Sequence, residues 1–273
     1  MKVDSHSHSK YSHDGRADPL KMLEAAKAEG LGYYAVTEHL DRDYKYCRKE
    51  RFLKQLNLPR YYKRAEKLRS VDFGGIYFAF GVEAAYCEKA TPWYEKELKK
   101  YDFDVVINSI HTIHGGDAYF GRFYRGREQD EVYNEYLDLL AESLKVPYHY
   151  DIVGHIGYIT RYCDYPNVSL VQPQYLDKID ALLKEIIARD KCIEINTHIR
   201  HPLTEFLPER AILERYYALG GRKITFSSDA HVPSDVGAKY PLAARVAKDI
   251  GFTEWTVYKH HIPVTVPIDD PES

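Results

Sequence analysis

Seven short runs of apolar and β-branched residues recur along this chain, and each carries histidine, aspartate or glutamate at or near its end. They are KVDSHSH from Lys2, YYAVTEH from Tyr33, YFAFGVEA from Tyr77, VVINSIH from Val105, DIVGHIG from Asp151, CIEINTH from Cys192 and KITFSSDAH from Lys223. Longer stretches with helical periodicity lie between them, so the chain reads as α/β, with repeated strand–helix units and a largely parallel sheet. In a barrel of such units the C-terminal strand ends converge on one face, and polar residues far apart in sequence gather there. One histidine at a strand end reads most simply as a satisfied loop residue; seven run ends in the same phase read as the lining of one cleft.

The intervening helices have visible boundaries. Asp18 can cap the first, Pro19 suits its first turn and Gly30 can end it. Further helices are expected over Arg48 to Leu56, Pro59 to Arg69, Glu128 to Ser143, Pro173 to Arg189, Pro208 to Leu219 and Ser234 to Ile250, with a short one near Pro92 to Lys99. The first two of these are kept apart because Pro59 would disrupt a helix interior. The terminal stretch VTVPIDDPES is expected to run along the surface. With 273 residues, 44% of them apolar, the chain can bury a large core, and residues 1–273 are read as a single domain.

Charge narrows the partners. Lys+Arg of 38 against Asp+Glu of 41 gives a net charge of -3, too balanced for a nucleic-acid coat or a membrane surface, so a small molecule is expected. No run approaches the roughly 18 apolar residues of a membrane span. The start, Met-Lys-Val-Asp, has no signal-peptide pattern, and a cytoplasmic enzyme is expected. Cys47, Cys87, Cys163 and Cys192 are scattered without a CxxC pair, which makes them reduced structural residues rather than a zinc ribbon or redox motif.

The strand-end residues have ligand spacing. In an extended strand residues i and i+2 point the same way, so His6 and His8 can offer two imidazoles to one cation. Asp229 and His231 repeat that spacing on the last run, and Glu83, His111 and His155 stand at others. Imidazole with carboxylate suits zinc, iron or manganese, and the lack of thiolates points to an open catalytic site rather than a closed structural one.

Taken in order, His6-x-His8, Asp14, TEH at Thr37 to His39, GVE at Gly81 to Glu83, SIH at Ser109 to His111, GH at Gly154 to His155 and SDAH at Ser228 to His231 resemble the motifs of the polymerase and histidinol phosphatase (PHP) family. The resemblance runs from residue 6 to residue 231. It implies a distorted seven-stranded, TIM-like (β/α) barrel with three divalent metal ions at the C-terminal strand ends. Carried over residue by residue, it assigns His6, His8, Glu83 and Asp229 to one metal. A second shares Glu83 and adds His111 and His155, and the third is held by Asp14, His39 and His231. Asp14 stands where some family members have histidine, which leaves the adjacent His13 as a competing ligand.

Metals about 3.5–4 Å apart can share a bridging water, lower its pKa towards roughly 7 and hold it in line with a phosphorus atom. Hydrolysis of a phosphoester is therefore expected, with Glu83 and Asp229 central to catalysis. No GxxxxGK[ST] cradle or GxSxG elbow is present, which counts against a P-loop kinase or serine hydrolase. Arg161 and Arg200 can each present a planar fork to phosphate. His198, in the same phase as the ligands but at no metal position of the family, can hydrogen-bond phosphate or protonate the leaving alkoxide. His114 matches no ligand position.

Within the family, the chain length together with SIHTIHGGD and INTHIR resembles the histidinol-phosphate phosphatases of histidine biosynthesis. That implies L-histidinol phosphate as substrate, with Asp117 facing its cationic groups and the loops Asp41 to Tyr46 and Tyr119 to Arg127 closing over it. Three alternatives stand beside it. Action on nucleic-acid ends would use RYYKRAEKLR, Arg60 to Arg69, as a basic track, although helical spacing lets Tyr62, Ala65 and Leu68 face a core while Lys63, Arg64 and Lys67 meet water. A phosphotyrosine-protein phosphatase would want a wide, shallow cleft. A non-catalytic metal-binding module would be expected to have lost ligands.

Overall fold

The structure is a computed structural model that describes residues 1–45, 54–199 and 205–269. Its strands and helices run β1 (Lys2–Asp4), α1 (Pro19–Ala28), β2 (Leu31–Leu40), α2 (Leu58–Arg69), β3 (Tyr77–Ala85), α3 (Thr91–Leu98) and β4 (Val105–Ser109). A small hairpin, β5 (Thr112–Ile113) and β6 (Gly116–Asp117), precedes α4 (Gln129–Ser143). Then come β7 (Ile152–Val153), α5 (Leu176–Ala188), β8 (Cys192–Asn196), α6 (Arg210–Ala218), β9 (Ile224–Ser227) and α7 (Tyr240–Ile250). A second hairpin, β10 (Glu254–Lys259) and β11 (Ile262–Pro267), follows.

The seven runs become one sheet ordered β1-β2-β3-β4-β7-β8-β9, parallel at every pairing. Residues beyond β1 close the ring onto the last strand: Ser5 N donates to Phe226 O at 2.9 Å, and His8 N to Ala230 O at 2.8 Å. Asp229 N returns a bond to His6 O at 2.9 Å. The expected distorted seven-stranded barrel is therefore present. Because helices cover the outside while side chains fill the inside, β3 and β4 are buried on both faces, which is why their sequences run apolar without alternation.

Local chemistry sets the helix positions. Asp18 accepts from Leu20 N at 3.0 Å and caps α1, whose Met22, Leu23 and Ala26 are buried. In α2 the Tyr61 hydroxyl lies 2.7 Å from Val36 O and 2.9 Å from Gly81 O, which pins the helix to β2 and β3. Gly154, just past the two-residue β7, is obligatory in a different way: a Cβ there would meet Ser109 Oγ at 2.2 Å. The close approach it allows sets the neighbouring His155.

Two sequence expectations need correction, and a third gains a strand. The helix expected from Ser234 begins at Tyr240, because Gly237 and Lys239 take left-handed φ of 70° and 64° and Pro241 favours a first turn. A short 3-10 turn, Pro173–Tyr175, precedes α5. The terminal stretch keeps to the surface but in strand form: residues 264–267 lie in β11, with Thr265 and Pro267 exposed and Val266 and Ile268 turned inward. Its hairpin covers the N-terminal mouth of the barrel with Trp255 fully buried, the Tyr33 hydroxyl donating to Tyr258 O at 2.8 Å and His261 N donating to Asp104 O at 2.9 Å. The helix expected over Arg48 to Leu56 lies mostly outside the described residues, and 54–56 are irregular.

Among the described residues no helix is long and apolar enough to cross a membrane. Cys87, Cys163 and Cys192 are free thiols, while Cys47 lies outside the described residues.

Candidate metal centre

At the C-terminal mouth the nine expected ligands come together from seven places in the chain. His6 and His8 follow β1, Asp14 sits in the loop before α1, His39 is the penultimate residue of β2, and Glu83 lies within β3. His111 and His155 stand two residues past β4 and β7, and Asp229 and His231 stand past β9. The last pair is not produced by strand alternation, as its spacing predicts: β9 ends at Ser227, and Asp229 takes a left-handed φ of 51°. A non-glycine residue held there stores strain, which is characteristic of functional sites.

Glu83 is the hub. Its Oε1 lies 2.8 Å from His155 Nε2 and 3.1 Å from His111 Nε2. Its Oε2 lies 2.9 Å from His39 Nδ1, 3.4 Å from His6 Nε2 and 3.6 Å from His8 Nε2. Asp229 Oδ1 is 3.2 Å from His8 Nε2 and 3.8 Å from His6 Nε2. At the outer rim Asp14 Oδ2 is 3.1 Å from His231 Nε2, and its Oδ1 is 3.5 Å from His39 Nε2. His39 thus spans the Glu83 and Asp14 groups. His13 stays beside them, 3.6 Å from Asp41 Oδ2 and 3.8 Å from Asp14 Oδ2.

Hydrogen bonds on the far side of each ring decide what the near side offers. His6 Nδ1 donates to Glu194 Oε2 at 2.9 Å. Ser12 Oγ gives its proton to Glu38 at 2.5 Å, so it accepts from His8 Nδ1 at 3.1 Å. His111 Nδ1 donates to Asp41 Oδ1 at 3.1 Å, and His231 Nδ1 to the Asp229 carbonyl at 2.9 Å. In neutral rings with those protons on Nδ1, the Nε2 atoms of His6, His8, His111 and His231 would offer lone pairs inward: His6 and His8 face each other at 3.1 Å, and His111 faces His155, whose Nδ1 has no partner among the described residues, at 3.4 Å. Two neutral rings opposed in this way repel unless a proton or a metal cation lies between them. Glu83 Oε2, His39 Nδ1 and Asp41 Oδ2 are buried with no hydrogen-bond partner among the described residues. Both observations fit a centre built for positively charged ions, with acceptors that fix the tautomers of His6, His8, His111 and His231.

The electrostatics agree. Burial opposes a charge on His6, His39 and His111, yet carboxylates outweigh it and hold all three well above the usual imidazole range; for His6 these are Glu194, Glu83 and Asp229. Burial likewise opposes ionised Glu83 and Asp229, and the surrounding imidazoles hold both well below the usual carboxylate range. His8 is pushed down by burial and by His39 and His231. Net negative potential at the hub favours protons or metal cations there. In three triplets, one ligand atom from each residue lies within 4.8 Å of the others: His6, His8 and Glu83; His39, Glu83 and His111; and His8, His39 and His231.

Seven of the nine ligands, with His6 and His8 buried behind them, line a cavity of about 400 Å³ together with Arg161, His198 and Asp117. Arg161 is buried there, with one guanidinium nitrogen 2.9 Å from Asn196 Oδ1 and the other 3.4 Å from Asp229 Oδ2. The His198 ring lies 5.3 Å from that of His231. Asp117, at the aromatic end, accepts from the Tyr44 hydroxyl at 3.0 Å, and burial raises its pKa. Arg200 lies outside the described residues. His114, exposed and with a left-handed φ of 49°, does not line the cavity.

Sequence reasoning missed three acids. Asp41 approaches His111, His39 and His13; Glu194 holds His6 Nδ1 and accepts from His155 N at 2.6 Å; Glu38 clamps the loop of Ser9 and Ser12. A signal was available for Asp41, which stands two residues after His39 as His8 does after His6. Glu194 lies inside an apolar run, where only closure of the barrel turns it towards His6.

Comparison with known proteins gives the same family. A model of the PHP domain matches residues 4–198. A Clostridium acetobutylicum relative named "Probable histidinol-phosphatase" is 30% identical over 249 residues, covering 91% of this chain and 94% of the relative. The Lactococcus lactis histidinol-phosphatase is 28% identical over 260 residues, 94% of each chain. A crystal structure of the Lactococcus lactis histidinol phosphate phosphatase, complexed with zinc, L-histidinol and phosphate, superposes with a TM-score of 0.84 at 27% identity, covering 96% of this chain and 98% of that one.

Proposed function

The chain belongs to the PHP domain family, and from that premise we propose that it is a metal-dependent phosphomonoesterase that hydrolyses L-histidinol phosphate to L-histidinol and phosphate, a cytoplasmic step of histidine biosynthesis. The observation that carries the reading is the set of imidazole nitrogens that closes around Glu83, with Nδ1 of His6 and His111 held from behind by Glu194 and Asp41. Residues 1–273 act as one unit in it.

Three divalent ions are assigned to the nine side chains as the family resemblance has them: His6, His8, Glu83 and Asp229; Glu83, His111 and His155; Asp14, His39 and His231. Zinc suits this donor set, with iron and manganese as the alternatives. Bound there, such ions supply a nucleophilic water at neutral pH and neutralise charge on the phosphoryl oxygens. Glu194, Asp41 and the Asp229 carbonyl keep the rings oriented. Burial opposes the Arg161 charge, but Asp229 outweighs it and holds the guanidinium protonated, ready to orient a phosphate. His198 is placed to hand a proton to the leaving alkoxide. Asp117, amid Tyr44, Tyr119 and Tyr158, meets the ammonium and imidazole of the substrate, whose positive charge would draw it into the ionised form.

Cavity size favours a small substrate over a protein surface or polymer. The basic stretch Arg60 to Arg69 is accounted for by packing: Tyr61, Ala65 and Leu68 are buried, Tyr62 lies half-buried against Phe80, and Arg64 and Arg69 pair with Asp18 and Asp104. Phosphate release from L-histidinol phosphate, a dinucleotide with a terminal phosphate and a phosphotyrosine peptide tests the reading. Histidinol phosphate should be turned over far faster than the others. A preference for either of the others would replace the substrate, and no release from any would favour a non-catalytic module.

A further inference from the structure

The N-terminal mouth carries a second group of ligand-type side chains. Lys259 pairs with Ile262, so the β10–β11 hairpin turns through two residues, His260 and His261. Such turns need left-handed backbone at both positions and favour Asn and Gly there. Here both are histidine, at φ 48° and 64°. The turn is pinned from below, with His260 N donating to Asp104 Oδ1 at 3.2 Å and His261 N to Asp104 O at 2.9 Å. That anchoring aims the His261 ring at the residues before β7.

Asp151 receives it. His261 Nδ1 lies 2.8 Å from Asp151 Oδ2, and His149 Nε2 lies 2.7 Å from Oδ1 of the same carboxylate. The two rings are 4.5 Å apart, centroid to centroid, and one donor atom from each of the three residues falls within 4.8 Å of the others. Asp151 is 2% exposed, while His149 at 55% and His261 at 30% open to water. Two imidazole nitrogens and one carboxylate oxygen on one side of an ion, with solvent on the other, are the donor set of an open transition-metal site. Ligands about 2.0–2.2 Å from zinc stand roughly 3.4 Å from one another in a tetrahedron, inside the 4.8 Å that bounds the three donor atoms here.

We propose that His149, Asp151 and His261 bind a zinc-class divalent cation, distinct from the C-terminal centre, that clamps the terminal hairpin to the barrel. Asp151 and the catalytic-end His155 flank opposite ends of β7, so the two centres share no ligand. His261 is separated from His149 and Asp151 by more than a hundred residues of chain, and tying such distant segments together stabilises the folded state through mass action on the bound ion.

The test is equilibrium dialysis of the full chain against micromolar free zinc, followed by elemental analysis, for wild type, His149→Ala, His261→Asn and His114→Ala. Asn suits the left-handed turn position and His149 is exposed, so both variants should fold. Each should hold one zinc per chain fewer than wild type and lose part of the zinc-dependent rise in Tm, while phosphate release is unchanged. The His114→Ala control should keep the full count. Equal zinc counts in all four proteins would overturn the proposal, even if His261→Asn shifted the Tm of metal-free protein, because the cluster would then be a hydrogen-bonded pin alone. The zinc count is read without substrate, so it stands or falls separately from the phosphatase reading.

Discussion

The two mouths of the barrel both gather histidine and aspartate, yet they satisfy them in opposite ways. At the N-terminal mouth the acids are spent on backbone and hydroxyl donors: Asp104 accepts from Phe80 N, Tyr77 Oη and His260 N and pairs with Arg69, and Asp151 accepts from Val106 N. Those bonds staple strand starts together. At the C-terminal mouth the buried rings turn Nε2 atoms towards one another, and the Glu83 carboxylate is surrounded by imidazoles rather than N–H groups of the backbone. Residue type alone therefore does not distinguish a fastening from a catalytic centre; what lies on the far side of each ring does. In barrels of this kind the division of labour, stability below and chemistry above, follows from which strand ends converge with free side chains.

The comparison is broken most severely by removing its hub. Glu83→Ala should lower kcat for phosphate release by on the order of a thousandfold or more, since it deletes the carboxylate proposed to be shared between cations. Retained activity, in a steady-state phosphate assay, would take Glu83 out of the mechanism. The opposite mouth should respond in stability instead. Trp255 is fully buried under the hairpin, so Trp255→Ala should cost about 3–5 kcal/mol in chemical denaturation while leaving kcat of the folded enzyme near wild type. A parallel fall in kcat would mean the two ends are not separable.

Glu194→Gln sharpens the role of the far-side acceptors. It keeps the shape but weakens the acceptor for His6 Nδ1, and should lower metal affinity or activity about 10–100-fold. Recovery of kcat at high zinc would identify the loss as one of binding. The smallest effect lies outside both mouths, at Asp18. Burial would raise its pKa, but Arg64 and Lys10 bring it down to about 2 from its ordinary 3.8. A depressed carboxylate contributes stability that is present above its unfolded pKa and lost as pH falls through the folded one. The urea midpoint of chelator-treated wild type should therefore exceed that of Asp18→Asn at about pH 5, and the gap should shrink towards about pH 2. A gap independent of pH would assign the effect to capping alone.

Much of the C-terminal mouth could be read from sequence because its ligands sit at the ends of apolar runs, where period-2 strands stop and the same phase recurs. Asp229 was found for that reason, although its left-handed backbone was not foreseen: nothing local in SSDAH requires it, and it arises where the chain pairs back onto His6. Glu194 and Asp41 escaped because their roles exist only once the ring has closed. The start of α7 was obscured because Gly237 and Lys239 interrupt an otherwise helical pattern. The hairpin at the N-terminal mouth was missed for a chemical reason. Two histidines occupy a turn that normally announces itself with Asn-Gly, and Pro263 and Pro267 disguise the strand beside it as a tail.

Chelation tests the central claim most directly. Protein stripped of metal should release no phosphate from L-histidinol phosphate, and zinc added back should restore turnover in step with occupancy of the C-terminal centre. Undiminished release from metal-free protein would contradict the account.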